Sequence, residues 1–108
     1  MSDIRFHCVA LLEVMEDTLN HLKLEPMVKL LYDVYLSPEC FEFVLSQFYT
    51  STFRSAYKEI LKDLNIASIY HTHDKSLVKN ILTDIAIRII KQRRIEIHYN
   101  SEFSFGKK

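Results

Sequence analysis

Apolar residues recur at spacings of three and four along most of the chain, which is the pattern of amphipathic helices packed around a core. The first series follows Ser2, a residue type that caps helix N-termini, and predicts a helix of about five turns. Phe6 and Val9 widen its apolar face, so we expect this helix to be covered on more than one side. Its inward positions are Ile4, Cys8, Leu11, Leu12, Met15, Leu19 and Leu22.

The two prolines indicate where the next helices begin. Pro26 suits the first position of a second helix, where a backbone N–H would have no partner in any case. The pair Ser37-Pro38 predicts a third start, because a capping serine precedes a proline. The residue before a proline avoids the α conformation, so the second helix should end near Ser37.

A fourth helix is predicted from the apolar stripe between Phe53 and Leu64. Whether it is continuous with the third helix stays open, because the segment 50–52 offers capping residues but no breaker. Asn65 can take the left-handed conformation that ends a helix. The residues after it, 66–73, are predicted to connect helices, with one short strand at 66–70 as an option.

The last third of the chain changes its periodicity. A fifth helix is predicted to start at the cap Asp74, and its broad apolar band up to Ile90 indicates a central helix. Ile95, Ile97 and Tyr99 then alternate with polar residues, which favours a short C-terminal β-hairpin over residues 95–105. The alternative is that the fifth helix continues to about Tyr99 and that the tail after it is loose. We therefore expect one all-α or nearly all-α domain over residues 1–108, a compact bundle of about five helices.

Composition narrows the class of protein. The 108 residues include one glycine and two prolines, too few turn-forming residues for an all-β sandwich. A single glycine also excludes P-loop and dinucleotide-binding motifs. No apolar run approaches the roughly 20 residues that span a bilayer, and the N-terminus lacks the basic region of a secretory signal. Cys8 and Cys40 lie in apolar surroundings and are interpreted as buried, reduced thiols. We expect a cytoplasmic or nuclear protein without a membrane partner.

Candidate catalytic and metal-binding groups are few. His71, His73 and Asp74 form the densest group of ligand types, but Asp74 is already explained as a helix cap and no zinc-binding spacing accompanies them. His7 lies next to Cys8, yet neighbouring residues on a helix point about 100° apart and cannot form a nucleophile–base pair. We therefore predict no enzyme activity, no cofactor and no metal site.

Charge is divided unevenly between the two halves of the chain. Residues 1–50 carry eight acids and three bases, whereas residues 51–108 carry eleven bases and six acids. The basic side chains near the end of the fifth helix resemble the footprint of a phosphate-binding surface. An alternative function is therefore a small nucleic-acid-binding regulator that uses the basic end of the fifth helix, with Arg88, Lys91, Arg93 and Arg94, together with the C-terminal segment. The same basic residues are also explained without a ligand, because cations are favourable at helix C-termini and keep an apolar helix soluble.

Aromatic residues crowd into the second to fourth helices, and the third helix carries apolar groups on more sides than one buried face can hide. Such a surplus is met either by burial at the centre of the bundle or by a second molecule. Our leading hypothesis is a helical protein–protein interaction or regulatory module that self-associates as a homodimer. The partner-binding residues of this hypothesis are Phe41, Phe43, Phe48 and Tyr49.

Overall fold

The computed structural model describes residues 2–47 and 51–106 of the chain. These residues form five α-helices and one short 3-10 helix, Ile69–His71, so the predicted all-α bundle is confirmed. The α-helices are α1 (Ser2–Asn20), α2 (Leu24–Tyr35), α3 (Pro38–Gln47), α4 (Ser51–Leu64) and α5 (Lys75–Gly106).

Helix α5 is the central element of the bundle. It contains 32 residues, or about 48 Å of helix at 1.5 Å per residue, and the longest dimension of the molecule is 53 Å. Its main neighbours are α2 and α4, while α1 packs chiefly against α3 and α2. The predicted apolar band on α5 is buried as expected, at Val78, Ile81, Leu82, Ile85, Ala86, Ile89 and Ile90.

An aromatic cluster joins α2, α3 and α4 to the connection before α5. Phe41 is its centre, and its ring meets the rings of Tyr57 and Tyr70 edge-on at centroid distances of 5.3 and 5.6 Å. Tyr70 also stacks on Tyr35 at 4.9 Å. Edge-on and stacked pairs are the favourable aromatic geometries. The aromatic residues around Phe41 are therefore covered by other parts of the same chain and need no second molecule to cover them.

Several helix ends follow the sequence signals. Helix α3 begins at Pro38. Asn65 closes α4 in the left-handed conformation, with φ of 58°. The Asp74 carboxylate caps α5, because its Oδ1 accepts hydrogen bonds from the backbone N–H groups of Ser76 and Leu77 at 2.9 and 3.3 Å. These three predictions rest on local chemistry alone.

The junction of α1 and α2 differs from the prediction. Helix α1 ends at Asn20, and Leu22 takes a left-handed conformation with φ of 58°, which costs a residue with a Cβ more than it costs glycine. Helix α2 then begins at Leu24, two residues before Pro26. Pro26 still lies in the first turn, where its missing N–H leaves no hydrogen bond unmade.

The predicted C-terminal hairpin and the optional strand at 66–70 are wrong. Helix α5 continues to Gly106, and the described residues contain no strand. An ion pair between Arg93 and Glu96, at i and i+3, stabilises this part of the helix; its Nε and Oε1 atoms lie 3.2 Å apart. Ile95, Ile97 and Tyr99 are all exposed, so the alternation of apolar residues here does not reflect a buried face.

The two cysteines are buried, as predicted, but they are paired and not reduced. Cys8 on α1 and Cys40 on α3 form a disulfide, with their Cα atoms 5.2 Å apart. This separation lies in the ordinary range for disulfides. The bond ties α1 to α3 on the side of α1 that faces the core.

Tyr70 anchors the connection between α4 and α5, and we expect its hydroxyl to contribute measurably to stability. The hydroxyl donates a hydrogen bond to the carbonyl oxygen of Tyr35 at 2.6 Å. Tyr70→Phe should lower the free energy of unfolding by about 1 kcal/mol, the usual net value of one hydrogen bond. Urea unfolding near neutral pH measures this, with Tyr32→Phe at an exposed tyrosine as the control.

The same residue predicts a response to alkaline pH. Burial, and after it the nearby Tyr35, Tyr57 and Glu42, raises the pKa of Tyr70 above its ordinary value of 10.0. Folding therefore favours the neutral phenol, so this contribution is complete below pH 10 and declines as the pH rises further. The stability difference between wild type and Tyr70→Phe should shrink above pH 10. If the stability difference at pH 11 equals the difference at neutral pH, the raised pKa of Tyr70 is contradicted.

Candidate interaction surfaces

The aromatic residues assigned to partner binding do not form an exposed surface on α3. Phe41 is completely buried in the core, so its assignment to a docking surface is corrected. Phe43 is partly buried. Phe48 and Tyr49 lie outside the described residues. Helix α3 is apolar on several sides because it packs against α1, α2 and α4 together.

The basic end of α5 is used largely within the fold, and Arg93 is the clearest case. Only 7% of this residue is exposed. Its Nη2 lies 3.1 Å from Glu16 Oε1, and its Nη1 donates a hydrogen bond to the Asn20 side chain. With Glu96 on the next turn, these groups surround the guanidinium. The prediction that Arg93 is an exposed phosphate ligand is therefore wrong, because the arginine joins α5 to α1.

Two more of the predicted basic residues have partners inside the molecule. Arg88 contacts Glu59 of α4 at 2.8 Å and Asp84, one turn earlier on α5, at 3.4 Å. The Arg94 Nη2 donates a hydrogen bond to the carbonyl oxygen of Leu22 at 3.3 Å, which gives this carbonyl in the α1–α2 connection a partner. Lys91 is exposed. These contacts leave a smaller basic surface than the sequence suggested.

An exposed surface of mixed apolar and acidic character runs along α1. Phe6 is 75% exposed and is the most exposed of the large apolar residues that the structure describes. The prediction that Phe6 is covered inside the molecule is therefore wrong. Residues at i, i+4, i+7, i+8 and i+11 share one side of a helix. The α1 surface consists of Phe6, Ala10, Glu13, Val14 and Asp17, all exposed.

A second exposed surface lies on α5 and has apolar and basic character. Its members follow the same i, i+4, i+7, i+8 and i+11 spacing and lie on the side of α5 opposite the core. Ile95 is 58% exposed. The α5 surface consists of Ile87, Lys91, Arg94, Ile95 and His98, of which all are exposed.

Sequence reasoning missed both surfaces for the same reason. Apolar residues beside a helical stripe are interpreted as an extension of the buried face, and Phe6 is interpreted in this way as widening the core face of α1. Ile95 was assigned to a strand. The direction of each side chain around the helix axis distinguishes the exposed side from the core side. Phe6 points in nearly the same direction as Glu13 and Asp17, and away from Cys8 and Met15.

The histidines of the α4–α5 connection do not form a metal centre with other described residues. His71 ends the short 3-10 helix, and His73 lies beside the start of α5. No group of three or more potential metal ligands comes together in the part of the chain that the structure describes.

Comparison of the chain with models of protein families, with curated proteins and with solved structures finds no match. Among the described residues, no helix has both the length and the apolar character needed to cross a membrane.

Proposed function

We propose that this chain is a helical protein–protein interaction module that self-associates, with the α1 surface of one copy packed on the α5 surface of a second copy. The observation that supports this most is the presence of two exposed helical surfaces with similar apolar content and opposite charge. The leading hypothesis from the sequence is retained, but its binding residues move from α3 to α1 and α5.

Charge complementarity is the argument for a second copy as the partner. Glu13 and Asp17 give the α1 surface its negative charge, and Lys91 and Arg94 give the α5 surface its positive charge. Both surfaces belong to the same chain, so a two-fold dimer would form the α1–α5 contact twice. The matching spacing of the two sets of residues lets the apolar and charged positions alternate in register along the paired helices.

The apolar residues would supply most of the affinity and the charges most of the selectivity. Burial of a large apolar side chain contributes roughly 1.5–3 kcal/mol, so Phe6 and Ile95 are the expected anchors. Exposed ion pairs contribute at most about 1 kcal/mol each but favour the correct orientation. A stable dimer buries about 1,200–2,000 Å² in total, which two helix–helix contacts can approach.

Other partners and the compartment stay predictions. A dimer of this kind could regulate or scaffold another macromolecule. Nucleic-acid binding through the end of α5 has less support, because Arg88 and Arg93 form ion pairs with carboxylates of the same chain. A cytoplasmic or nuclear location is also retained as a proposal, although a disulfide is more typical of an oxidising compartment.

We expect wild-type protein to be a dimer that dissociates on dilution. Phe6→Glu and Ile95→Glu should each shift the molecular mass measured by light scattering to that of a monomer, because a charge would replace an apolar anchor at the contact. Leu36→Glu is the matched control, since Leu36 is 62% exposed and lies on neither surface. A wild-type monomer over a hundredfold concentration range would contradict the proposal.

Charge reversal tests the pairing of the surfaces directly. A variant with Glu13→Lys and Asp17→Lys has two basic surfaces, and a variant with Lys91→Glu and Arg94→Glu has two acidic surfaces. Each should be monomeric alone because like charges would meet. An equimolar mixture should form heterodimers, because both contacts are then complementary. If each variant dimerises alone as well as wild type, the α1–α5 pairing is wrong.

A further inference from the structure

A groove between α2 and the start of α5 brings three lysines together. Its volume is about 460 Å³, which is within the usual range of small-molecule sites. Lys29 approaches from α2, and Lys75 and Lys79 from the first two turns of α5. Glu25 is the acidic residue that lines it. The groove therefore carries an excess of positive charge.

These lysines lack the intramolecular partners that the arginines of α5 have. In the described part of the chain, no carboxylate lies within ion-pair distance of Lys29, Lys75 or Lys79. Lys75 and Lys79 are also i, i+4 neighbours, and like charges at this spacing are mildly unfavourable. The three ammonium groups are thus open to an anion that enters the groove.

Lys75 lies in the first turn of α5 and adds positive charge to a helix end that already has positive potential, and the N-cap Asp74 is the acidic residue beside it. The N-terminal turn of a helix has positive potential and usually carries acidic residues, yet the first turn of α5 contains none within the helix. Asp74 caps the backbone N–H groups of Ser76 and Leu77, so these groups are occupied. An anion in the groove would therefore be held by the lysine side chains.

The remaining walls of the groove are apolar and aromatic. Val28, Tyr32 and Leu82 line it, and Leu82 belongs to the core. A neighbouring cavity of about 330 Å³ is also lined by Tyr32 and Lys75, and by Tyr35. A bare inorganic anion would leave these walls without a contact. A ligand with both an anionic head and a flat apolar body would use the whole groove.

We propose that the α2–α5 groove binds a small organic phosphate, with the phosphate group among Lys29, Lys75 and Lys79 and an aromatic or other apolar body against Val28 and Tyr32. This site is separate from the α1 and α5 surfaces, so it does not depend on self-association. Lysine binds phosphate as a point charge, which suits three ammonium groups from two helices.

Titration of the full chain with phenyl phosphate, followed by NMR chemical shifts, tests the site. We expect shifts centred on residues of the groove, and weaker binding of inorganic phosphate because it lacks the apolar body. Changing Lys29, Lys75 and Lys79 together to glutamine should weaken phenyl phosphate binding by about tenfold or more, which corresponds to about 1.4 kcal/mol. Circular dichroism checks that this variant remains folded.

A matched control uses lysines that line another groove. Lys58 and Lys62 lie on α4 beside a cavity of about 510 Å³. Changing both to glutamine removes two positive charges, against three in the groove variant, and should leave phenyl phosphate binding unchanged. Equal loss in both variants, no binding by wild type, or much tighter binding of a single-stranded oligonucleotide than of phenyl phosphate would overturn the proposal.

Discussion

Arg93→Ala is expected to lower the free energy of unfolding by about 2–4 kcal/mol. Loss of one partner of a buried ion pair usually costs about 3–5 kcal/mol, because the other charge stays buried without compensation. The range is lowered here because Glu16 and Glu96 retain 29% and 40% of their side-chain exposure. Glu16 and Asn20 would lose the guanidinium that joins them to α5. Urea unfolding monitored by circular dichroism measures the change.

Three further variants separate the ion pair from simple loss of volume. Arg93→Met keeps most of the side-chain volume but should still destabilise, since Glu16 loses its cationic partner. The double change of Arg93→Met with Glu16→Met should recover part of the loss, because apolar residues often replace a buried pair without penalty. Lys58→Ala, at an exposed position of α4 that lies on neither proposed dimer surface, should change stability by less than about 0.5 kcal/mol. If Arg93→Ala behaves like Lys58→Ala, the contacts of Arg93 with α1 contribute nothing to stability.

Features of the fold that rest on local chemistry could be predicted from the sequence. Pro38, Asn65 and Asp74 mark helix ends through their own backbone or side-chain preferences. The long apolar band of α5 also predicted its central position, because its width requires neighbours on more than one side. The hairpin prediction failed because alternation of apolar residues identifies a strand only when one face is buried. Ile95 and Ile97 lie in a helix and are both exposed.

The candidate sites depend on contacts between distant parts of the chain, which periodicity does not reveal. Arg93 was interpreted as exposed because its neighbours in sequence are charged, yet its partner Glu16 lies 77 residues earlier. Phe41 was assigned to a docking surface, but rings from α4 and the α4–α5 connection cover it. The lysine groove likewise requires α2 to lie beside the start of α5.

Reduction of the Cys8–Cys40 disulfide is expected to lower the free energy of unfolding by about 3–4 kcal/mol. The two residues are 32 positions apart, and a cross-link closing a loop of this size restricts the unfolded chain by about that amount. The reduced cysteines would remain compatible with the core, because a thiol packs as a small apolar group. We therefore expect a less stable protein with the same fold.

The cellular compartment determines whether the Cys8–Cys40 pair is oxidised or reduced. Cytosolic glutathione and thioredoxin keep most thiols reduced, so a cytoplasmic protein would exist mainly in the less stable form. Alkylation of the denatured protein immediately after isolation from its source shows which form is present. Two blocked thiols would favour the cytoplasmic or nuclear prediction, whereas an intact disulfide would favour an oxidising compartment.

The effect of disulfide reduction on the free energy of unfolding is measured by urea unfolding of purified protein with and without dithiothreitol. The double variant Cys8→Ala with Cys40→Ala is the control, because its unfolding midpoint should not respond to the reductant. It should resemble reduced wild type, apart from the small loss of packing at two buried positions. Mass spectrometry after alkylation must show that the wild-type bond has opened. If the bond has opened and the unfolding midpoint stays the same, the disulfide does not stabilise the fold through the restricted loop.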